Sequence, residues 1–138
     1  MVFHRQIFNS KLRVSNGDKS RAAIVSPLSK YRNAGAPAID FLHAALEGAP
    51  VFTSGIELAN EFDELTPYKG EGIVTKQFPG SFTQTDLQGI LKAACRTKVV
   101  LTGYMAYVCA STTAGQAAEK GWHIIIAKDA VGTETFPV

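Results

Sequence analysis

A strand that leads directly into a helix, in the last third of the chain, constrains the fold more than any other feature of this sequence. The strand-forming run 98–102 stops at Gly103, and after a short link the residues favour a helix that ends before Gly121. A second strand-forming run, 123–127, follows at once. A strand, a crossover helix and another strand in this order predict a parallel sheet of the α/β class.

The same alternation continues upstream. Asp18 is expected to cap a helix that runs to about Asn33, with a kink or break near Ser26 because Pro27 lies in its middle. The other expected elements are strands at 37–43 and 72–76, one or two helical turns within 57–65, and a helix at 86–95. We therefore predict a single domain, residues 1–138, with a three-layer α/β/α, Rossmann-like architecture in which 1–14 is irregular or forms a substitute strand.

Composition excludes several classes of protein. The chain of 138 residues is 46% hydrophobic and 19% charged, which suits one globular domain with its own core. Its net charge of +2 comes from scattered residues, so we expect no nucleic-acid partner. No segment has the pattern of a signal peptide or a membrane span, and the two cysteines form no disulfide framework. We expect a cytoplasmic protein with no membrane partner.

Cys109 is the candidate nucleophile, because it lies between a buried strand and the start of a helix. Backbone amides at a helix N-terminus carry partial positive charge, which favours a thiolate held there. The carboxyl ends of parallel strands are also where α/β sheets tend to place their reacting groups. The alternative is that Cys109 is a small buried hydrophobic residue, as most lone cysteines are.

Three segments, in their order and spacing, resemble the isochorismatase-like cysteine hydrolases. This superfamily includes isochorismatases, nicotinamidases and N-carbamoylsarcosine amidases. The segments are Lys76–Phe82 with Thr85–Leu87, the nucleophile segment Val99–Thr113, and Gly121–Ala130; upstream, Tyr31–Ile39 resembles the family's helix end and second strand. The resemblance covers most of the chain. It implies an α/β fold and a hydrolase that acts on a small amide or vinyl-ether substrate through a cysteine.

The resemblance also implies roles for individual residues. Cys109 matches the nucleophile and Lys76 the lysine that assists it. The backbone amides of Met105 and Cys109 match the pair that binds the oxyanion, and a cis peptide is expected at Tyr104–Met105. Three aromatic residues near these positions are expected either to contact substrate or to fill space: Phe82, Tyr104 and Tyr107.

The family's catalytic aspartate has no counterpart in this sequence. It ends a first strand in the family, and the corresponding position here falls near Val2. That strand is central in the family's sheet, so its absence predicts a gap between strand edges near Ile39 and Val100. There are three alternatives: residues 1–8 form a substitute strand, another chain provides the strand, or the chain is an incomplete copy that also lacks a last helix and strand. We favour the last. Because unpaired edges invite association, we expect a homo-oligomer.

Two competing functions follow. The first is a hydrolase, impaired by loss of the aspartate, that acts on a small-molecule substrate and needs no cofactor. The second is a non-catalytic pseudoenzyme or interaction protein that binds a small molecule or a related full-length subunit by strand addition. No metal is expected, because Asp40 and His43 lack the spacing of the family's metal pair and no other histidine follows before His123.

Overall fold

The structure is a computed structural model that describes Val14, residues 16–45 and residues 61–132. Within these ranges the elements are, in chain order, α1 (Gly17–Asn33), β1 (Ile39–His43), β2 (Gly72–Lys76), α2 (Leu87–Ala93), β3 (Lys98–Tyr104), α3 (Ser111–Glu119) and β4 (His123–Gly132). A 3-10 turn precedes β2 and a π-helical turn joins β3 to α3. The predicted α/β class is confirmed, whereas the proposals for residues 1–8 lie outside the described residues.

The strands form two parallel pairs. β1 lies beside β2, with Ile39 opposite Gly72 and His43 opposite Lys76. β3 lies beside β4 in a register that is regular up to Leu101 and irregular beyond it, because β4 carries extra residues opposite Thr102. Since carboxyl ends of parallel strands meet at one edge, His43 and Lys76 end their strands side by side.

Helix α1 differs from its prediction at its start and at its middle. Asn16 adopts the left-handed conformation, with φ 54° and ψ 33°, and its side chain makes no capping hydrogen bond. Asp18 is therefore not the cap but lies in the first turn, where a carboxylate suits the positive end of the helix dipole. The helix continues through Pro27 as one element, so the break expected there is wrong, whereas a kink near Ser26 stays a prediction.

Two apolar clusters stabilise the two strand pairs separately. The first joins α1 to β3 and β4, and its buried members are Val14, Ile24, Leu65, Tyr104 and Ala130. The second joins α2 to β1 and β2, and its buried members are Phe41, Val74, Leu87 and Leu91. Helices α1 and α2 thus cover different strand pairs, and Val99 of β3 also packs against the second cluster. Among the described residues, no helix is both long and apolar enough to cross a bilayer.

A central cleft of about 650 Å³ lies between the two strand pairs. It is lined by residues 38–41 of the β1 side and 96–102 of the β3 side, together with apolar side chains of α1 and α2. Within the described ranges, β1 pairs only with β2 and β3 only with β4. Ile39 and Val100 both line this cleft, and the gap between their strand edges stays a prediction, because residues 1–13 lie outside the described ranges.

Candidate active site

The candidate site lies where β2 and β3 end. Lys76 is the last residue of β2, and the π-helical turn Ala106–Ala110 that carries Cys109 follows β3 after Met105. The structure thus brings together the two residues that the sequence assigned to catalysis, which are 33 positions apart in the chain. Lys76 and Cys109 can meet because the segments that follow parallel strands begin at the same edge of the fold.

Lys76 is a buried lysine whose ammonium group has three hydrogen-bonding partners. Its side chain is 1% exposed. The ammonium donates to the carbonyl oxygens of Phe78 at 2.9 Å and Pro79 at 2.8 Å, and it lies 3.5 Å from Cys109 Sγ. Burial lowers the pKa of Lys76, and the negative charge and hydrogen bond offered by Cys109 act in the opposite direction. Three donors are matched to three partners, so the ammonium is held in one place.

Cys109 presents its sulfur to Lys76 from a turn that leads into α3. The residue is 8% exposed, and Lys76 is the hydrogen-bonding partner of its Sγ among the described residues. The Met105 carbonyl accepts from the amides of Val108 at 3.3 Å and Ala110 at 3.1 Å, which closes the π-helical turn. Such turns recur at functional sites. An ammonium beside a thiol favours the thiolate, which is the nucleophilic form.

The peptide bond between Tyr104 and Met105 is cis, as predicted. Met105 is half-buried and lies between the end of β3 and the π-helical turn. The assignment of the Met105 and Cys109 amides to an oxyanion site stays a prediction.

The three aromatic candidates have different surroundings. Tyr104 is 1% exposed, packs in the first apolar cluster, and shares a 2.7 Å hydrogen bond between its hydroxyl and Ser20 Oγ. This packing against α1 favours the space-filling alternative for Tyr104, and its contact with substrate stays a prediction. Phe82 is half-buried against the second cluster and also lines the central cleft. Tyr107 is 47% exposed on the turn that carries Cys109, so Phe82 and Tyr107 stay candidates for substrate contact.

Three polar residues that the sequence did not single out complete the site. Ser81 lies in the loop after Lys76, and Thr113 and Gln116 lie on α3 behind Cys109. They are joined by hydrogen bonds between loop and helix. The spacing of Cys109, Thr113 and Gln116 places them on one helix face, which is the signal that could have identified them.

A second group of ionisable residues includes Asp40 on β1 and Glu61, which precedes the 3-10 turn. Asp40 is buried, and its Oδ1 accepts from the amide of Phe41 at 2.9 Å. Burial, and next a hydrogen bond and repulsion with Asp40, raise the pKa of Glu61 to about 9. Asp40 and His43 are three residues apart on a strand, so their side chains point to opposite faces. Within the described ranges no group of three His, Cys, Asp or Glu side chains could hold a metal ion.

Comparison with known proteins agrees with this fold. The chain matches the Isochorismatase domain over residues 4–136. The secreted isochorismatase effector Isc1 of Verticillium dahliae is 54% identical over 127 residues, which cover 92% of this chain and 67% of that protein. An isochorismatase from Pseudomonas putida KT2440 superposes with a TM-score of 0.92 at 24% identity, covering 98% of this chain and 69% of that chain.

N-carbamoylsarcosine amidase from Thermoplasma acidophilum superposes with a TM-score of 0.86 at 23% identity, covering 98% of this chain and 82% of that chain. At such identities the solved structures show the fold alone. The domain match spans nearly the whole chain, and the fungal relative is identical at more than half of the aligned positions. The chain therefore belongs to the isochorismatase family of hydrolases.

Proposed function

We propose that this protein hydrolyses a small amide or vinyl-ether substrate with Cys109 as the nucleophile. The observation that carries the proposal is the 3.5 Å contact between Lys76 Nζ and Cys109 Sγ in a buried site. An isolated charge in such a place would be costly, whereas a thiolate and an ammonium compensate each other. Burial of a lysine beside a cysteine is thus explained by chemistry and not by packing alone.

For an amide substrate the reaction has two steps. The thiolate sulfur attacks the carbonyl carbon, the C–N bond breaks, and the amine leaves with a proton that it takes from water. Water then attacks the thioester, the C–S bond breaks, and the carboxylic acid leaves while the thiolate forms again and the remaining proton goes back to water. In each step the amides of Met105 and Cys109 are proposed to bind the oxyanion.

Proton transfer is the step of the reaction that this site supports least. The sulfur of Cys109 has Lys76 as its hydrogen-bonding partner among the described residues, and no described carboxylate bonds to it. A positioned general base commonly contributes about 10²–10⁴-fold in rate. We therefore expect slow turnover, with water accepting and returning the proton.

Competition between the two cysteines tests the nucleophile. Cys95 is exposed and Cys109 is buried, so exposure alone predicts that iodoacetamide modifies Cys95 first. We expect the opposite order at pH 7, because Lys76 favours the Cys109 thiolate. Peptide mass mapping after short exposures gives both rates in one sample. Faster modification of Cys95 would remove the main support for the hydrolase.

Turnover is tested on substrates named for the relatives. Isochorismate and N-carbamoylsarcosine are each incubated with the protein, and product is followed by mass spectrometry. Activity should be lost in Cys109→Ser and kept in Cys95→Ser. Product formation that survives in Cys109→Ser would point to another residue.

The central cleft supports a second candidate, a binding protein that accepts a strand. Strand rise, strand spacing and layer spacing give ~160 Å³ for each residue of a covered strand. A cleft of about 650 Å³ would thus hold about four residues of an extended, apolar peptide. A soluble peptide with a Val/Ile centre and lysine ends should raise the thermal midpoint. N-methylation of its central amides should abolish that rise, and an equal rise would exclude strand pairing.

The location of the protein is open to two proposals. The cytoplasmic location predicted from composition and free cysteines stays a prediction. The fungal relative is named a secreted protein, so secretion of this chain is the competing proposal. Immunodetection in culture medium and in cell extract distinguishes the two.

A further inference from the structure

We propose that Thr113 and Gln116 of α3 are positioning residues that hold Lys76 against Cys109. They do so by fixing the loop 77–83, which begins directly after Lys76. This inference rests on the proposed function of Cys109 as a nucleophile. It explains why Lys76 and Cys109 stay in contact, since neither β2 nor the π-helical turn fixes that contact alone.

The two positioning residues and the nucleophile lie on one face of the helical segment. Thr113 follows Cys109 by four positions, and Gln116 follows Thr113 by three. Residues three and four apart are neighbours on a helix surface, so the three side chains form a single stripe. The stripe faces loop 77–83, because Cys109 contacts Lys76 and the other two contact Ser81, Phe82 and Thr83.

Thr113 makes the most buried of these contacts. Its hydroxyl oxygen accepts from the Ser81 amide at 3.0 Å and donates to Ser81 Oγ at 3.0 Å. Thr113 is 2% exposed and Ser81 is 0% exposed. A buried amide without a partner is costly, so loss of the Thr113 hydroxyl would favour displacement of the loop.

Gln116 holds the next two residues of the loop. Its Oε1 accepts from the Phe82 amide at 3.2 Å, and its Nε2 donates to Thr83 Oγ1 at 2.8 Å. The loop approaches so closely that a Cβ added at Gly80 would lie 2.6 Å from Gln116 Nε2. Side chains of α3 therefore hydrogen-bond to three consecutive residues of the loop, 81–83.

The same loop provides the carbonyl groups that hold the ammonium. Phe78 and Pro79 accept from Lys76 Nζ, and Ser81 follows two residues later. A shift of Ser81 would move these carbonyls away from the ammonium or carry the ammonium away from the sulfur. Either change weakens the contact that favours the thiolate. The bonds of Thr113 and Gln116 thus act on Cys109 through Lys76.

The test compares Thr113→Val with Thr112→Val, which removes the same hydroxyl from an exposed position of the same helix. Alkylation of Cys109 by iodoacetamide is measured from pH 5 to pH 10 in a Cys95→Ser background. We expect Thr113→Val to move the midpoint of the rate profile upward by roughly 0.5–1 pH unit, which slows alkylation about three- to tenfold below the midpoint. Thr112→Val should match the parent.

Further variants separate positioning from folding. Thr113→Ser keeps the hydroxyl and should restore the parent midpoint, whereas Gln116→Leu should shift it in the same direction as Thr113→Val. If Thr113→Val does not fold, Gln116→Leu and Thr113→Ser still decide the matter. A folded Gln116→Leu or Thr113→Val with the parent midpoint would overturn the proposal.

The outcome also distinguishes this inference from the proposed function. If the parent itself modifies Cys109 no faster than exposure allows, the proposed nucleophile fails before the positioning residues are tested. If the parent is activated and the α3 variants are equally activated, only the positioning role fails.

Discussion

At the scale of single residues, the site depends on how one lysine is held. Burial lowers the pKa of Lys76, and the neighbouring Cys109 opposes that effect. The carbonyls of Phe78 and Pro79 replace the water that the ammonium loses. Lys76 can therefore stay charged inside the protein, where its charge acts on sulfur without screening by solvent.

Replacement of Lys76 by Met tests that charge while keeping a similar volume. We expect Lys76→Met to slow alkylation of Cys109 at pH 7 by about tenfold or more, since tenfold corresponds to one pKa unit of the attacking group. The thermal midpoint should fall, because the carbonyls of Phe78 and Pro79 lose their donor and Cys109 loses its partner, so circular dichroism first checks that the variant folds. An unchanged rate in the folded variant would show that the turn itself activates the thiol.

Part of this site can be predicted from the sequence alone. Cys109 can be identified because a strand stops shortly before it and a helix follows. Lys76 needs the family resemblance, since a lysine at a strand end is ordinarily solvated. Ser81 carries no local pattern, and its contact with Thr113, which is 32 positions away, forms only through the tertiary fold.

At the scale of secondary-structure elements, β1 carries a charge arrangement that should make stability depend on pH. The pKa of Glu61 is raised to about 9 by burial and by Asp40, against an ordinary value of 4.5. A carboxyl whose folded pKa is raised stabilises the fold while it is protonated. That contribution is complete below the unfolded pKa and is lost as pH rises through the folded pKa.

Glu61→Gln should remove this dependence. We expect the free energy of unfolding of the parent to fall between pH 5 and pH 9, and that of Glu61→Gln to fall less, because glutamine does not titrate. Urea denaturation at several pH values measures both. Glu119→Gln, at an exposed position of α3, should keep the slope of the parent. Parallel slopes for the parent and Glu61→Gln would contradict the raised pKa of Glu61.

The elements themselves were predictable where local pattern decides their limits. β2 has the predicted bounds, 72–76, because a glycine opens it and a loop with proline and glycine follows. The predicted start of α1 was wrong, because the helix is preceded by Asn16 in a left-handed conformation and not by a side-chain cap. β4 extends to Gly132, beyond the predicted 127, because irregular pairing with β3 lets it continue. The π-helical turn was missed, since its sequence also suits an α-helix.

At the scale of the whole molecule, the central cleft is the feature that favours binding of another chain. Its walls combine apolar side chains of α1 and α2 with residues of both strand pairs. An apolar groove of this kind is typical of an interaction site.

Association through the cleft is the expected result for the isolated chain. We expect light scattering at micromolar concentration to give a mass above the 14.8 kDa of one chain, because free strand edges pair with other chains. Val100→Lys places a charge on the β3 side of the cleft and should lower that mass, whereas Ile73→Lys, at an exposed position of β2, should not. Circular dichroism checks that both variants fold. A parent that stays monomeric, or two variants with equal effect, would mean that the cleft is not where chains meet.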